Sequence, residues 1–343
     1  MKPITIVGGG LAGLTLGIGL RQQGIPVKLF EAGKYPRHRV CGEFISGAGQ
    51  RSLDRLGLLE KLMEARGRVA KTVLFIAGET IALQRSLPEE SVSISRFALD
   101  KLLAQEFEGL GGELHSSSRW AGKFEEGVVR ASGRRVQNEV KGWRFLGLKV
   151  HATNVKLDAD LEMHFVPNGY VGLCQLADGE VNICGLFRGR TRSPDLSTHW
   201  RDWLKGTPSS KLAERLKDAS FDENSFCSVA GISCEPQKAR MQNECCVGDS
   251  ITMISPATGN GMSMAFESAE LAIEPLMNYS RAKMSWEAAK AGIADHCDQT
   301  FSRRLMWAGM LEKVLFRPGL RNFSLLLASR LPGFWSALYS RTR

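Results

Sequence analysis

The sequence predicts an α/β protein, and three observations carry that expectation. First, Lys2 to Val7 is a short apolar run of the kind that forms a buried parallel strand. Gly8, Gly10 and Gly13 follow at once, then an apolar helix-like run from Leu14 to Leu20, then a second strand from Pro26 to Phe30 ending at Glu31. Second, the region from Trp143 to Phe187 is strand-rich in a different way. Its runs are Phe145 to Ala152, Asp160 to Phe165, Tyr170 to Leu176 and Glu180 to Leu186, and P-N-G and A-D-G turns join the last three as hairpins. Third, from Ser280 onward the chain is basic and helical, broken at Pro318-Gly319 and Pro332-Gly333. Together these give a Rossmann-like domain with an inserted antiparallel β-sheet domain or layer and a helical C-terminus.

Each part of the opening has a chemical reason. Gly8 permits a tight turn off the strand. Gly10 lets a pyrophosphate approach the helix N-terminus and its free amides. Gly13 lets helix and sheet pack closely. Glu31 stands 18 residues past Gly13, where a carboxylate accepts hydrogen bonds from an adenosine ribose. Taken alone, this element fits a Rossmann enzyme using NAD or FAD. It begins almost at residue 1, which leaves no expected presequence.

Composition narrows the class. The chain has 343 residues, 43% hydrophobic and 24% charged, enough for a substantial core and not a disordered composition. It contains no run of 18 apolar residues and no secretory signal pattern, so no spanning segment is expected. The net charge is +9, with basic bursts at Lys34 to Arg39, Gly133 to Lys141 and Ser302 to Lys313. These are short and lack interleaved aromatics, which argues against a nucleic-acid partner. The eight cysteines include no CxxC pair and the six histidines form no HExxH, so no metal site is expected and a reduced, cytoplasmic protein is the default.

Between these landmarks, Ala32 to Ser46 reads as a loop and Gly49 to Ala65 as one helix with Leu53, Leu56, Leu59 and Leu62 on one side. Strands are expected at Arg68 to Ile76 and Thr80 to Leu83 around a turn at Ala77 to Glu79, and at Ser91 to Ile94. A helix runs from about Ser95 to Glu108 and stops at Gly109, Gly111 and Gly112. Short strands follow at Glu113 to Ser118 and Gly127 to Arg130. Thr198 to Lys205 and Ser210 to Lys217 are helical, Phe226 to Ile232 and Glu244 to Val247 are strands, and a helix starts at Met262.

The order of these motifs resembles the flavin oxidoreductases of the p-hydroxybenzoate hydroxylase fold, and within them geranylgeranyl reductase-like proteins. The resemblance rests on the glycine fingerprint ending in Glu31, on R-H-R-V-C-G-E from Arg37 to Glu43, and on I-S-R-F-A-L-D from Ile94 to Asp100. V-G-D-S from Val247 and S-P-A-T-G-N-G-M ending at Met262 complete it. It implies FAD as cofactor. The residues it places on FAD are Gly8, Gly10, Leu11, Ala12, Gly13, Glu31, Ala32, Arg39, Val40, Cys41, Gly42, Arg96, Gly248, Asp249, Gly259, Asn260, Gly261 and Met262. Asp249 would meet the ribitol or pyrophosphate, and Gly259 to Met262 the flavin ring. The N-terminus of the helix from Met262 would favour an anionic reduced flavin.

The implied domain order is an FAD-binding domain in three parts, 1–70, 94–142 and 233–278. Substrate-domain strands occupy 71–93, the antiparallel substrate domain 143–232, and C-terminal helices 279–343.

Two departures bear on the reaction. The family's P-x-x-K-x-C-G-G pattern appears here with Arg39 at the lysine position and Glu43 at the second glycine. Ser132 stands where the family's D-G signature has its aspartate, which questions direct reduction by NADH or NADPH and leaves room for a separate reductase or ferredoxin-like donor. The W-x-W-x-I-P motif of flavin halogenases is absent.

The expected activity is that of an FAD-dependent oxidoreductase. A monooxygenase acting on an aromatic or other hydrophobic small molecule stands first, and a C=C reductase acting on an isoprenoid or polyketide second. A low-turnover flavin-binding partner protein stands third. Cys41 and Tyr170 are the candidate catalytic proton donors, with Cys41 equally readable as a small buried side chain. Phe165, Tyr170, Leu148 and His164 are candidates for lining the cavity. Arg303, Arg304 and Arg317 offer a basic surface for peripheral membrane contact, although Leu305, Trp307, Leu311 and Leu315 favour packing of that region on the body.

Overall fold

The structure is a computed structural model, which describes residues 1–78, 81–134, 144–189 and 196–343. The expected turn at Glu79, most of the basic burst from Gly133 to Lys141, and Trp143 lie outside those residues.

The chain opens with β1 (Ile4–Val7), α1 (Leu11–Gln22) and β2 (Val27–Phe30). A loop leads to β3 (Phe44–Ile45), α2 (Ala48–Arg55) and α3 (Leu59–Glu64), then β4 (Arg68–Ala77), β5 (Ile81–Ser93) and α4 (Arg96–Gly109). Next come β6 (Glu113–His115), β7 (Val128–Arg130), β8 (Arg144–Thr153), β9 (Leu161–Val166), β10 (Gly169–Gln175) and β11 (Val181–Gly189). α5 (Leu196–Lys205), α6 (Lys211–Leu216), β12 (Ser220–Ile232) and β13 (Cys245–Cys246) follow. The last elements are α7 (Gly261–Ser280), α8 (Trp286–Leu315), α9 (Pro318–Arg330) and α10 (Pro332–Arg341).

The first sheet is parallel, in the order β13-β7-β1-β2-β6. Its central strands are buried on both sides, which is why β1 reads as a continuous apolar run. α1 is buried along almost its whole length and shares a core cluster with Leu276 and Phe266 of α7. The C-terminal ends of β1, β2, β7 and β13 lie together, which is where open α/β sheets bind ligands.

The second sheet has eight strands in the order β12-β8-β11-β10-β9-β4-β5-β3, antiparallel except where β4 pairs with β9. Strand alternation gives it two distinct faces. Leu148, Val150 and Ala152 of β8 pack with Trp200, Leu204 and Leu212 of α5 and α6. The other face carries Phe145, Phe165, Tyr170 and Leu186, packed with Ala257, Leu325 and Ala328.

Three local outcomes differ from the sequence expectation. The single helix of 49–65 is two helices, α2 and α3, because Gly57 turns the chain at φ +65°. The short strands expected at Thr80 to Leu83 and Ser91 to Ile94 are one strand, β5, which runs through Pro88. The register there slips, with Ala70 facing Ser91 and Thr72 facing Ser86, so Pro88 sits in a bulge that asks no hydrogen bond of it. Arg304 is not on a basic surface. It is buried and forms a bidentate pair with Glu267, at 2.6 and 2.9 Å, that ties α8 to α7.

Candidate cofactor and active site

The glycine turn between β1 and α1 is shaped by close backbone approaches. Gly8 has φ +112°, and a Cβ there would lie 2.3 Å from the Ala131 carbonyl oxygen. A Cβ on Gly13 would lie 1.9 Å from the Gly8 carbonyl oxygen. Gly10 is the opposite case, with nothing within 4 Å of the Cβ position. That open space lies at the N-cap of α1, which has no side-chain cap and no acidic residue in its first turn. The amides of this turn therefore face an anion-receptive cradle. Leu11 and Ala12 are buried behind it, and Ala12 supports Gly248 from below.

Glu31, at the end of β2, is tied to this turn. Its carboxylate accepts from Gly9 N (2.8 Å), Gly33 N (2.7 Å) and Arg37 Nη1 (2.5 Å). Burial alone would raise its pKa, but the Arg37 guanidinium and the two amides outweigh that and hold it at about 2. A carboxylate has about four lone-pair sites, so one remains open toward a ribose diol. Tyr35 donates to the Gly9 carbonyl at 2.5 Å and Arg37 stacks over its ring. Ala32 lies exposed just beyond Glu31.

The middle of the groove is basic. Arg96 starts α4 and forks onto Asp100 at 2.7 and 2.9 Å. Arg37 Nε lies 3.9 Å from the same Asp100 carboxylate. Arg39 is exposed beside them, and the surrounding protein, Arg37 and Arg96 all push its pKa down. Three guanidiniums set against two carboxylates, Glu31 and Asp100, leave one positive charge in excess, suited to a diphosphate. Asp249 follows Gly248, whose φ is +62° and whose amide donates to Ser268 Oγ at 2.9 Å. Enclosing protein raises the Asp249 carboxyl to about 6, with Arg96 and Arg134 opposing, while its open side remains exposed to water. Ser132 is exposed beside the Gly8 turn.

At the far end, Gly259 takes φ +63° and Asn260 caps α7, so Gly261 and Met262 form its first turn. The positive end of a 20-residue helix thus points from this loop. Asn260 Nδ2 donates to the Thr342 carbonyl (2.8 Å), and Arg343 Nη1 to the Thr258 carbonyl (2.7 Å).

The loop from His38 to Glu43 brings in a cluster that sequence reading missed. Glu43 is fully buried at φ +58°. Its carboxylate accepts from Arg96 N (2.8 Å), pairs with His151 Nε2 (2.7 Å) and lies 3.4 Å from Lys149 Nζ. Lys149 is fully buried too, with Nζ 3.0 Å from His38 Nδ1. Burial would raise the Glu43 pKa, but His151, Lys149 and the Arg96 amide hold it below the usual range. Burial, with Lys149 and His151 nearby, pushes His38 down to about 4. Asn182 Nδ2 donates to the Cys41 carbonyl (2.9 Å). Lys149 and His151 are two residues apart on β8, a period-2 signal inside an apolar strand that marks both as facing the same way.

Cys41 therefore lies within this cluster, its Sγ accepting from Glu43 N at 3.4 Å. Burial raises its pKa, with Arg96 opposing, so it is a thiol rather than a thiolate. Val40 packs against Gly147 of β8, and Gly42 is exposed with free space around it. Tyr170 is elsewhere on the sheet, buried and 6.5 Å from the Phe316 ring centroid, with its pKa raised by burial. Of the expected cavity-lining residues, Phe165 and Tyr170 share that face. Leu148 points to the opposite face against α5 and α6, and His164 alternates with Phe165 and pairs with Glu162 at 2.8 Å. Among the described residues no group of three or more His, Cys, Asp and Glu is placed to hold a metal ion.

Comparison with known proteins agrees with this geometry. Residues 1–142 match the family model described as FAD binding domain. A curated relative, one of the subunits of anaerobic glycerol-3-phosphate dehydrogenase from Haemophilus influenzae (strain PittGG), is 32% identical over 114 residues, which are 33% of this chain and 23% of the relative. The match thus spans less than a quarter of that protein's length. Among solved structures, the flavin-dependent brominase Bmp2 superposes with a TM-score of 0.75 at 16% identity, covering 99% of this chain and 92% of that one. PqsL of Pseudomonas aeruginosa, described as a probable FAD-dependent monooxygenase, gives 0.70 at 17%, covering 93% and 98%. A flavoprotein/dehydrogenase of Cytophaga hutchinsonii gives 0.69 at 17%, covering 92% and 88%. At these identities what is shared is the fold.

Proposed function

We propose that this chain, which carries an FAD-binding domain on a p-hydroxybenzoate hydroxylase-type fold, is a monooxygenase acting on an aromatic or other hydrophobic small molecule. The division of the FAD domain into 1–70, 94–142 and 233–278 around the sheet is part of that proposal. One observation carries it: Phe165, Tyr170 and Leu186 of the sheet share a hydrophobic cluster with Ala257 and Met253, which flank the loop leading into α7. An apolar floor thus adjoins the loop that would touch the flavin ring.

Bound FAD would supply the reducing equivalents and the oxygen activation. The chain's residues supply the rest. The α1 N-terminus, Arg96 and Glu31 would bind the diphosphate and ribose. The α7 N-terminus would favour negative charge at the ring. The aromatic floor excludes water from the reacting centre. The Glu43–Lys149–His151 cluster fixes the loop that carries Cys41 against the sheet. Cys41 and Tyr170, both held protonated, serve as hydrogen-bond donors and not as bases.

The compartment that fits this reading is the cytoplasm, since no disulfide is present among the described residues. No helix among the described residues is long and apolar enough to cross a membrane. The face that would meet a membrane surface is that of α8 and α9, where Met306, Met310, Leu320 and Phe323 are exposed beside Lys313 and Arg317. Cosedimentation with anionic vesicles tests that contact.

The test of the reaction is stepwise. The purified protein is checked for flavin absorbance, reduced anaerobically with NADH, NADPH or dithionite, and then given oxygen and candidate substrates. Incorporation of one atom from labelled oxygen is the expected result. Anaerobic saturation of an alkene would instead make it a C=C reductase, and a halide-dependent product a halogenase. Failure to bind flavin would sink all of these.

A further inference from the structure

A cavity of about 400 Å³ lies at the tip of the β9–β10 hairpin, between Thr207 to Leu212 and Leu315 to Arg321. That is within the size range of small-molecule sites. Its walls are apolar at Phe165, Leu315 and Phe316, and two polar side chains, Arg321 and His164, differ in what they offer it.

Arg321 places its guanidinium 4.8 Å from the Phe165 ring centroid. It makes a long hydrogen bond, from Nε to Asn322 Oδ1 at 3.3 Å, and no carboxylate lies within ion-pair distance among the described residues. Lys211 on the same wall differs, being paired with Glu214 at 2.9 Å. His164 is 2% exposed. Its Nε2 is held by Glu162, and Glu162 is itself fixed by Asp158 N at 2.7 Å and Arg215 Nε at 3.2 Å. The ring is thereby locked, and its other nitrogen, Nδ1, is buried with no partner. With Nε2 donating to the Glu162 carboxylate and Nδ1 shut off from solvent, His164 walls the cavity without offering it a donor, which leaves Arg321 as the group that faces a ligand.

The cavity is continuous with the sheet floor in its lining residues. Phe316 stands 5.3 Å from Phe145 and 6.5 Å from Tyr170, centroid to centroid, and Phe165 belongs to both surfaces.

We propose that this cavity binds the anionic head group, carboxylate or phosphate, of an amphipathic substrate, on Arg321. The apolar body of that substrate extends past Phe165 and Phe316 toward the floor. The link to substrate rests on the monooxygenase reading above; the binding chemistry of the cavity does not.

The experiment is calorimetric titration of the protein as purified with three probes: 4-butylbenzoate, octyl phosphate and the uncharged 4-butylbenzyl alcohol. At least one anion should bind about tenfold or more tightly than the alcohol, and whichever anion is tighter identifies the head group. Arg321→Gln should weaken that anion about tenfold or more while leaving the alcohol and the flavin spectrum unchanged. Arg321→Lys should keep part of the affinity. Near-ultraviolet circular dichroism verifies that each variant is folded. Equal affinity for alcohol and anions, no binding of either anion, or full affinity in folded Arg321→Gln would overturn the assignment. Arg321-dependent binding in a protein that takes no flavin would sink the monooxygenase reading and leave the cavity standing.

Discussion

The glycine turn and the Glu43 cluster are built from different materials. The turn is backbone: three glycines, the uncapped start of α1, and one carboxylate held by two amides and Arg37. All of it comes from the first 37 residues. The cluster is side chains: Glu43 from the loop, Lys149 and His151 from β8, Asn182 from β11, and Arg96 from α4 through its amide. A site made from one local segment fails by steric clash in that segment, whereas a site assembled across the fold fails by stranding a buried charge.

The largest effect should come from breaking the glycine turn. Gly13→Val would force a Cβ to within 1.9 Å of the Gly8 carbonyl, and neither backbone can yield cheaply. A stability loss of about 3 kcal/mol or more, with no flavin retained, is expected in thermal unfolding and flavin fluorescence. Gly10→Ala has open space at its Cβ and should leave the melting temperature nearly unchanged while weakening FAD binding. A strongly destabilised Gly10→Ala would mean that the cradle is structural rather than a binding surface.

Next is the Glu43 cluster. Lys149→Met leaves Glu43 buried beside His151 without its ammonium partner, and should cost about 3–5 kcal/mol in denaturant unfolding. The Glu43→Gln/Lys149→Met double variant should cost clearly less than the sum of the singles. Strict additivity would show that the two groups do not act as a pair.

The turn and the cluster should also separate by pH. Glu31 is ordinarily near 4.5 and is held at about 2 in the fold. Its contribution, on the order of a few kcal/mol, is complete above pH 4.5 and is lost as pH falls toward 2. His38 is ordinarily near 6.5 and is lowered to about 4, so the fold prefers it neutral. Its contribution is complete above pH 6.5 and is lost as pH falls from there to 4. Glu31→Gln should flatten the lower window of the stability profile and His38→Phe the upper one. Interchanged effects would contradict these environments. The smallest effect is expected at Ser132, which is exposed: Ser132→Ala should change FAD affinity by less than about twofold.

The same contrast explains what is legible in the sequence. Gly8, Gly10, Gly13 and Glu31 can be read because their roles are fixed by spacing within one strand–turn–helix–strand unit. The antiparallel sheet can be read from its hairpin turns and alternation. Lys149 and His151 escape notice because each lies in an apolar run, and their partner Glu43 is more than 100 positions away. Leu148 falls on the opposite face from the one expected for a related reason, since alternation fixes which residues share a face but not which face meets the cofactor. The continuity of β5 through Pro88 is hidden because no local signal announces a bulge made by its pairing with β4.

The most direct measurement is parallel titration of flavin-free protein with FAD and with FMN, followed by flavin fluorescence. A groove whose strongest contacts are at the glycine turn and Glu31 should bind FAD and should bind FMN, which lacks the adenosine half, at least about a hundredfold more weakly. Equal affinity for the two flavins, or affinity for neither, would contradict the account.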